Sequence, residues 1–305
     1  MGAQHTMSQH YWGIDLGGTK IEGVVLSSTH EPTPLLRLRV PTEADRGYEH
    51  VIGQFRKLIG QMESEVGARP DRIGICTPGV VDPHTQRLKN CNATSLNGQP
   101  LASDLQSALE MQIVTSNDAN CFALAEARLG AARGAESVFG VILGSGVGGG
   151  IVVGKQALYG GQGIAGEWGH NLLASDGPDC YCGRRGCVET ILAGPFLERH
   201  YAALAGLQRP LAEIAERAAN GEDVHATATI DRLVTYFGMA IASVINIVDP
   251  HVVVLGGGVS NIDVLYTRGV EQVEQYVFNH RLDTRIVRHE LGDSAGVFGA
   301  AMLVA

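Results

Sequence analysis

Residues 11–26 read YWGIDLGGTKIEGVVL, and this stretch decides the fold. Tyr11 to Leu16 is a short run of strand-forming residues, Gly17, Gly18 and Thr19 make a turn, and Ile21 to Leu26 is a second apolar run, so the segment reads as a β-hairpin. The pattern returns in the second half: 138–143 is apolar, Gly144, Ser145, Gly146 and Val147 follow with three more glycines, and Ile151 to Val153 resumes the strand. One unit used twice points to a duplicated fold whose glycine turns face each other across a cleft. The alternative is two unrelated glycine-rich hairpins, which a chain with 40 glycines can supply.

Around the hairpins, strands and helices interleave. Residues 48–66 repeat apolar side chains at helical spacing (Val51, Ile52, Phe55, Leu58, Ile59, Met62), and Ile73 and Ile75 lead as a strand into Pro78-Gly79. A helix is expected over 119–129, with Asp118 as a possible N-cap. The longest amphipathic helix is expected over 230–247, ended by Asp249-Pro250, and 252–255 reads as a buried parallel strand before Gly256, Gly257 and Gly258. A further helical stretch follows Asp263. Exposed loops are expected over 175–179 and 221–229. The class is therefore α/β, with a first domain over 7–117, completed by a C-terminal helix at 293–305, and a second over 118–292.

The 305 residues allow two domains, and 45% hydrophobic with 18% charged content describes a globular chain. A net charge of -9 with no Lys/Arg run argues against nucleic acid as a partner. No apolar run is long and clean enough to span a bilayer and no secretory pattern opens the chain, so a cytoplasmic location is expected. Residues 1–6 precede a second methionine, Met7, and are left out of the fold argument. Of six cysteines, Cys76, Cys91 and Cys121 are scattered and read as small buried hydrophobes, whereas three crowd into 180–187.

Each glycine turn after a strand (Gly17-Gly18, Gly144-Ser145-Gly146, Gly256-Gly257-Gly258) frees backbone amides to approach phosphate oxygens, and the hydroxyls of Thr19 and Ser145 add donors. None has the Walker or Rossmann spacing; each alone reads as an ordinary tight turn, and together with Asp15 they suggest a nucleotide site of another architecture. Asp15, just before the first turn, can hold Mg²⁺ directly or through water. Asp118, at a strand end and helix start, can take the proton of a sugar hydroxyl that attacks a γ-phosphate, or can simply cap the helix. His170, Cys180, Cys182 and Cys187 fit a closed tetrahedral Cys₃His site for structural Zn²⁺, with Gly183 and Gly186 letting the chain fold around it. Glu167 and Glu189 flank that loop, where both carboxylates can be aimed at sugar hydroxyls, or either can be a solvated surface acid.

At these residues the chain resembles the ROK family of sugar kinases, from Tyr11 almost to the C-terminus. Asp15-Leu16-Gly17-Gly18-Thr19-Lys20 is similar to the family's first phosphate motif, 143–150 to the second and 254–258 to the adenosine motif. Asn117-Asp118-Ala119-Asn120 resembles the catalytic segment, which implies Asp118 as base and Asn117 as a sugar contact. Residues 166–170 and 180–189 resemble the sugar and zinc signature, in which the histidine is a zinc ligand close to the sugar. Ser145 departs from the usual threonine and keeps its hydroxyl.

The resemblance implies two actin-like and hexokinase-like (ribonuclease H-like) domains with an interdomain cleft, commonly as homodimers. Its substrates are ATP, carried with Mg²⁺, and a small sugar. Asn92, Asn117, Glu167, His170 and Glu189 are then the expected sugar-binding set. Within the family, 90–101 together with Trp168, Asn171 and 293–296 is most similar to bacterial fructokinases that also accept mannose, which ranks fructose and mannose ahead of N-acetylglucosamine and glucose. A sugar-responsive repressor, the other use of such chains, needs an added DNA-binding segment, for which only about ten residues stand before the first motif. A non-catalytic sensor is expected to have lost the base or the phosphate motifs, and all are present.

Overall fold

The computed structural model describes residues 10–91 and 94–305, so Met7, at the expected domain start, and the expected sugar contact Asn92 lie outside the described residues. The chain divides into two compact units. The first holds the residues up to Gly134, Lys155–Ala165 and Glu290–Ala305; the second holds Ala135–Gly154 and Gly166–His289. The division therefore falls after Gly134, and not between Asn117 and Asp118 as expected.

In the first unit the hairpin of β1 (Tyr11–Leu16) and β2 (Lys20–Leu26) continues into β3 (Pro34–Pro41). Next come α1 (Tyr48–Val66), β4 (Arg72–Thr77), the short pair β5 (Val80–Val81) and β6 (Leu88–Lys89), α2 (Leu101–Leu109), β7 (Gln112–Asn117) and α3 (Asp118–Arg128). The strands lie in the order β3-β2-β1-β4-β7. β2 runs antiparallel to β1, with Asp15 opposite Glu22, whereas β4 and β7 run parallel to it, with Asp15 beside Cys76 and Thr77 beside Asn117. The apolar stripe of α1 closes over this sheet, burying Phe55, Leu58, Ile59 and Met62 with Trp12, Ile14 and Ile73.

The second unit opens with the hairpin of β8 (Ser137–Leu143) and β9 (Val147–Val153); a short β10 (Gln156–Ala157) falls in the segment that returns to the first unit. Then follow α4 (Glu189–Leu192), α5 (Gly194–Ala205), α6 (Leu211–Ala219), α7 (Val224–Val248), β11 (Val252–Gly256), α8 (Arg268–Tyr276) and β12 (Arg285–Arg288). β9, β8, β11 and β12 hydrogen-bond in that order, β8 and β9 antiparallel, β11 parallel to β8 and to β12. Both units thus use a hairpin whose first strand is the parallel neighbour of a later one. The resumed strand of the second hairpin is longer than expected, because it runs through Gly148, Gly149 and Gly150. A Cβ on Gly149 would sit 2.5 Å from Trp168 Cδ1 and 2.7 Å from Gly166 O, so the glycines make room for Trp168 to lie against the strand.

α7 begins at Val224, inside the stretch expected to be loop. Asp223 Oδ1 accepts the N–H groups of His225 (2.9 Å) and Ala226 (3.1 Å), which caps the helix six residues before its apolar periodicity becomes evident. By length and composition α7 could cross a membrane, yet its apolar face, with Leu233, Phe237, Ala240 and Ile241, is buried in the core of the second unit against Val141, Val253 and Leu255.

The last helix, α9 (Ala295–Met302), returns to the first unit and lies on β1, β4 and α3. Its approach is backbone to backbone: a Cβ on Gly74 would fall 1.8 Å from Ala300 O, one on Gly13 2.4 Å from Ala301 N, and one on Gly299 1.9 Å from Cys121 O. Glu126, fully buried on α3, fastens the lead-in to α9 by accepting the N–H groups of Glu290 (3.2 Å) and Leu291 (2.9 Å), and it also holds the Ala131 N–H (2.9 Å). These ties keep α3 with the first unit and explain the observed boundary. Gly299→Ala is expected to cost at least about 2 kcal/mol, at the upper end for overpacking because the neighbour is backbone and cannot repack. A lowered urea midpoint at unchanged slope would register it.

Candidate functional site

In the first unit, the chemistry-bearing residues gather at the C-terminal ends of parallel strands, where open α/β sheets place ligands. Asp15 on β1 and the Asn117-Asp118 step that ends β7 are two strands apart, with Cys76 of β4 between them. At about 4.8 Å per strand spacing, their backbones stand roughly 10 Å apart, close enough for two side chains to meet one ligand.

Helix capping, the alternative role for Asp118, belongs to its neighbour. Asn117 is the N-cap of α3, its Oδ1 accepting the Asn120 N–H at 3.0 Å, while Asp118 is the first helical residue and its Oδ1 accepts the adjacent Ala119 N–H at 2.8 Å. The Asp118 side chain reaches solvent but is otherwise hemmed in by protein. Desolvation raises its pKa above the usual carboxylate value, against the pull of the backbone N–H groups of Ala119 and of its own amide. Asp15 is raised too, first by burial and then by the charges of Asp118 and Glu22, with the Cys76 thiol and Lys20 acting the other way. Two acids pushed upward at strand ends on either side of β4 are a pattern of functional sites.

Glu22 shows the opposite solution. It is 2% exposed and desolvated, yet its pKa is lowered, because Arg39, Arg37 and Lys20 all donate to it. Lys20, expected at the phosphate motif, is thereby engaged with Glu22 at 3.0 Å. Gly18 and Thr19 are exposed at the turn, and a Cβ on Gly18 would meet nothing within 4 Å, so packing does not require glycine there.

In the second unit, two of the glycine turns come together. Gly256 is registered against Ile142, and Gly257 (φ 81°) lies so close to β8 that a Cβ would be 2.4 Å from Leu143 O. Gly144 and Gly258, by contrast, face open space within 4 Å, and Ser145 is exposed between its glycines. Gly194, at the start of α5, donates to Gly144 O at 2.9 Å. The result is a pair of bare backbone segments at the C-terminal ends of β8 and β11, the arrangement a phosphate chain needs.

His170, Cys180, Cys182 and Cys187 also come together, with ligand atoms all within 4.8 Å of one another. Cys182 and Cys187 have Sγ atoms 3.7 Å apart, and His170 Nδ1 is 3.6 Å from Cys180 Sγ. A tetrahedral ion with sulfur at ~2.3 Å and nitrogen at ~2.05 Å has edges of about 3.8 Å (S–S) and 3.6 Å (S–N), so the donor set fits one. Positive φ at Gly183 (85°) and Gly186 (65°) folds the loop, and a Cβ on Gly186 would strike Ala174 O at 1.6 Å. The other histidine nitrogen, Nε2, pairs with Tyr181 OH at 3.0 Å, which fixes the ring.

Glu167 and Glu189 both lie close enough to Tyr181 for their charges to help raise its hydroxyl to about 12, after the larger effect of burial. Glu189 is buried, and its Oε2 accepts the Val147 N–H at 2.9 Å. That contact was not legible in the sequence. Nor was the role of Trp168, which is buried with its indole N–H on Gly148 O (3.0 Å) and its ring edge-on to Phe139, and so supports the strand. Buried Asn120 Oδ1, next to the Asp118 turn, has no hydrogen-bond partner among the described residues.

The chain is similar to known proteins over nearly its whole length. The ROK family model matches residues 11–305. An N-acetyl-D-glucosamine kinase of Aliivibrio fischeri is 34% identical over 303 residues, covering 96% of this chain and 98% of that protein. Among solved structures, a ROK hexokinase from Thermus thermophilus superposes with a TM-score of 0.87 at 33% identity, covering 97% of both chains. A ROK glucokinase from Streptomyces griseus, solved with glucose and AMPPNP, gives 0.75 at 28% identity, covering 97% of this chain and 99% of that one. Matched by the family model over residues 11–305 and by a 34% identical relative over 96% of its length, this chain belongs to the ROK family.

Proposed function

We propose that the chain is an ATP-dependent hexose kinase that transfers the γ-phosphate to O6 of its sugar. One observation carries the reading: Asn117, and not Asp118, is the N-cap of α3, and burial gives the Asp118 carboxylate a raised pKa. Asp118 then acts as the base that takes the hydroxyl proton as the oxygen attacks. Asn117, Glu167, His170 and Glu189, with Asn92, bind the sugar. Gly17, Gly18, Thr19 and Lys20 in the first unit, and Gly144, Ser145, Gly146, Gly256, Gly257 and Gly258 in the second, receive the nucleotide. Asp15 organises Mg²⁺, which when bound with ATP neutralises the charge of the transferred phosphoryl group. The Cys₃His loop takes structural Zn²⁺, and the reading includes a cytoplasmic homodimer.

For the sugar, the similarity of 90–101 and of Asn171 to fructokinases puts fructose and mannose first. N-acetylglucosamine is the second reading, favoured by the 34% identical kinase from Aliivibrio fischeri. One hydroxyl or acetamido contact separates such substrates. A coupled ADP-release assay across fructose, mannose, glucose, N-acetylglucosamine and N-acetylmannosamine is expected to give fructose and mannose the highest kcat/KM. A lead for N-acetylglucosamine overturns the ranking, and no ADP from any sugar overturns the kinase reading.

Asp118→Asn is expected to lower kcat by about 10³-fold, within the range for loss of a general base. A carboxyl with a raised folded pKa stabilises the fold below its unfolded pKa and loses that contribution as pH rises through the folded value. At pH 7 the ionised group is therefore a burden, and the variant should melt higher than the parent. Undiminished turnover would reject Asp118 as the base.

The metal loop makes a separate prediction. Hydrogen bonding from Arg184 draws the Cys182 thiol down to about 6, whereas burial raises Cys180 and pushes Cys187 up to about 12. At pH 8 two of the three thiols therefore carry protons, and adding one Zn²⁺ per metal-free chain should release about two. Indicator-dye titration reads this directly; binding without proton release would argue against a three-thiolate site.

A further inference from the structure

The Glu189 carboxylate faces the second glycine turn from inside the protein. Its Oε2 receives the Val147 N–H at 2.9 Å, immediately after the turn. The same oxygen lies 2.5 Å from where a Cβ on Gly146 would be, so the glycine is needed to admit the carboxylate and is not open space toward the phosphate side. The chain from Glu189 returns to the turn once more: Ala193 donates to Glu189 O at 3.1 Å, and Gly194 donates to Gly144 O at 2.9 Å. Gly144 and Val147, the two residues bracketing Ser145-Gly146, are thus both tied to the segment 189–194. That segment starts two residues after the metal-loop cysteine Cys187, whose own strand bridge pairs it with Leu172.

We propose that Glu189 is a positioning residue for the nucleotide, setting the conformation of the Gly144–Val147 turn from the Cys₃His loop. This role is additional to its contact with the sugar, and it rests on the reading of that turn as a phosphate cradle. A carboxylate locks a backbone N–H more firmly than a neutral acceptor, and it adds to the two backbone bonds of the turn, Gly144 N–H to Gly146 O and Gly194 N–H to Gly144 O, each at 2.9 Å. The metal loop then preorganises both substrates' binding surfaces within the second unit, the sugar through its acids and the phosphates through Val147.

The test measures binding of the magnesium complex of AMPPNP by calorimetry, without sugar, so that neither turnover nor sugar affinity enters. Glu189→Ala is expected to weaken binding about tenfold, the order of one hydrogen bond to a charged group. Glu189→Gln, which keeps an oxygen acceptor for Val147, should restore most of it. Gly146→Ala should also weaken binding in the parent, because its Cβ displaces Glu189, but should add little in the Glu189→Ala background. Unchanged affinity in Glu189→Ala, or full additivity of the two changes, overturns the positioning role. Gly144→Val separates that failure from failure of the underlying reading: its side chain enters open space, so unimpaired binding there would mean that the turn is not the cradle.

Discussion

Where Gly299 meets the Cys121 carbonyl and Gly74 meets that of Ala300, two backbones lie against each other with no Cβ between them. The same device recurs in the second unit, where a Cβ on Gly169 would fall 2.1 Å from Val147 O and one on Gly166 2.5 Å from Gly149 O. Contact at this range is possible only for glycine, and it leaves almost no freedom of relative placement. Because α9 is pressed onto β1, β4 and α3 in this way, the ends of β1 and β7 and the start of α3 are fixed together. The positions of Asp15 and Asp118 follow from that contact as much as from the strands that carry them.

Four carboxylates sit in or near the interior of the first unit, and each meets the cost of desolvation differently. Glu22 is surrounded by three cations and stays ionised. Glu126 is consumed by backbone N–H groups and works as a fastener. Asp15 and Asp118 receive less compensation: burial raises the proton affinity of both, and the charge of Asp118 raises that of Asp15 further. Charge left under-compensated in a fold that elsewhere satisfies its buried acids is what distinguishes reactive groups from structural ones. The comparison inside one unit is more telling than any single shift.

The hairpins, the parallel buried strand at 252–255 and the helix over 48–66 were legible because period and punctuation agree there, apolar runs ending at glycine or proline. The four metal ligands were legible because soft donors crowd a short stretch. The unit boundary was not, since it depends on Glu126 and Gly299 meeting partners more than a hundred residues away. The start of α7 was hidden because Asp223 acts through its side chain before any apolar periodicity appears. At the candidate site, local sequence offered both capping and catalysis for Asp118, and only the bond from Asn120 to Asn117 separates them. A glutamate within the run Phe122–Ala127, otherwise alanine, leucine and phenylalanine, was the available signal for Glu126.

The first unit is discontinuous in the chain, and α9 supplies its closing contact from residues 295–302. During synthesis the whole of the second unit emerges from the ribosome before α9 does. The floor for α9 on β1, β4 and α3 therefore stays uncovered until residues 295–302 have been made. Vectorial folding, which ordinarily favours whatever comes first, is here inverted.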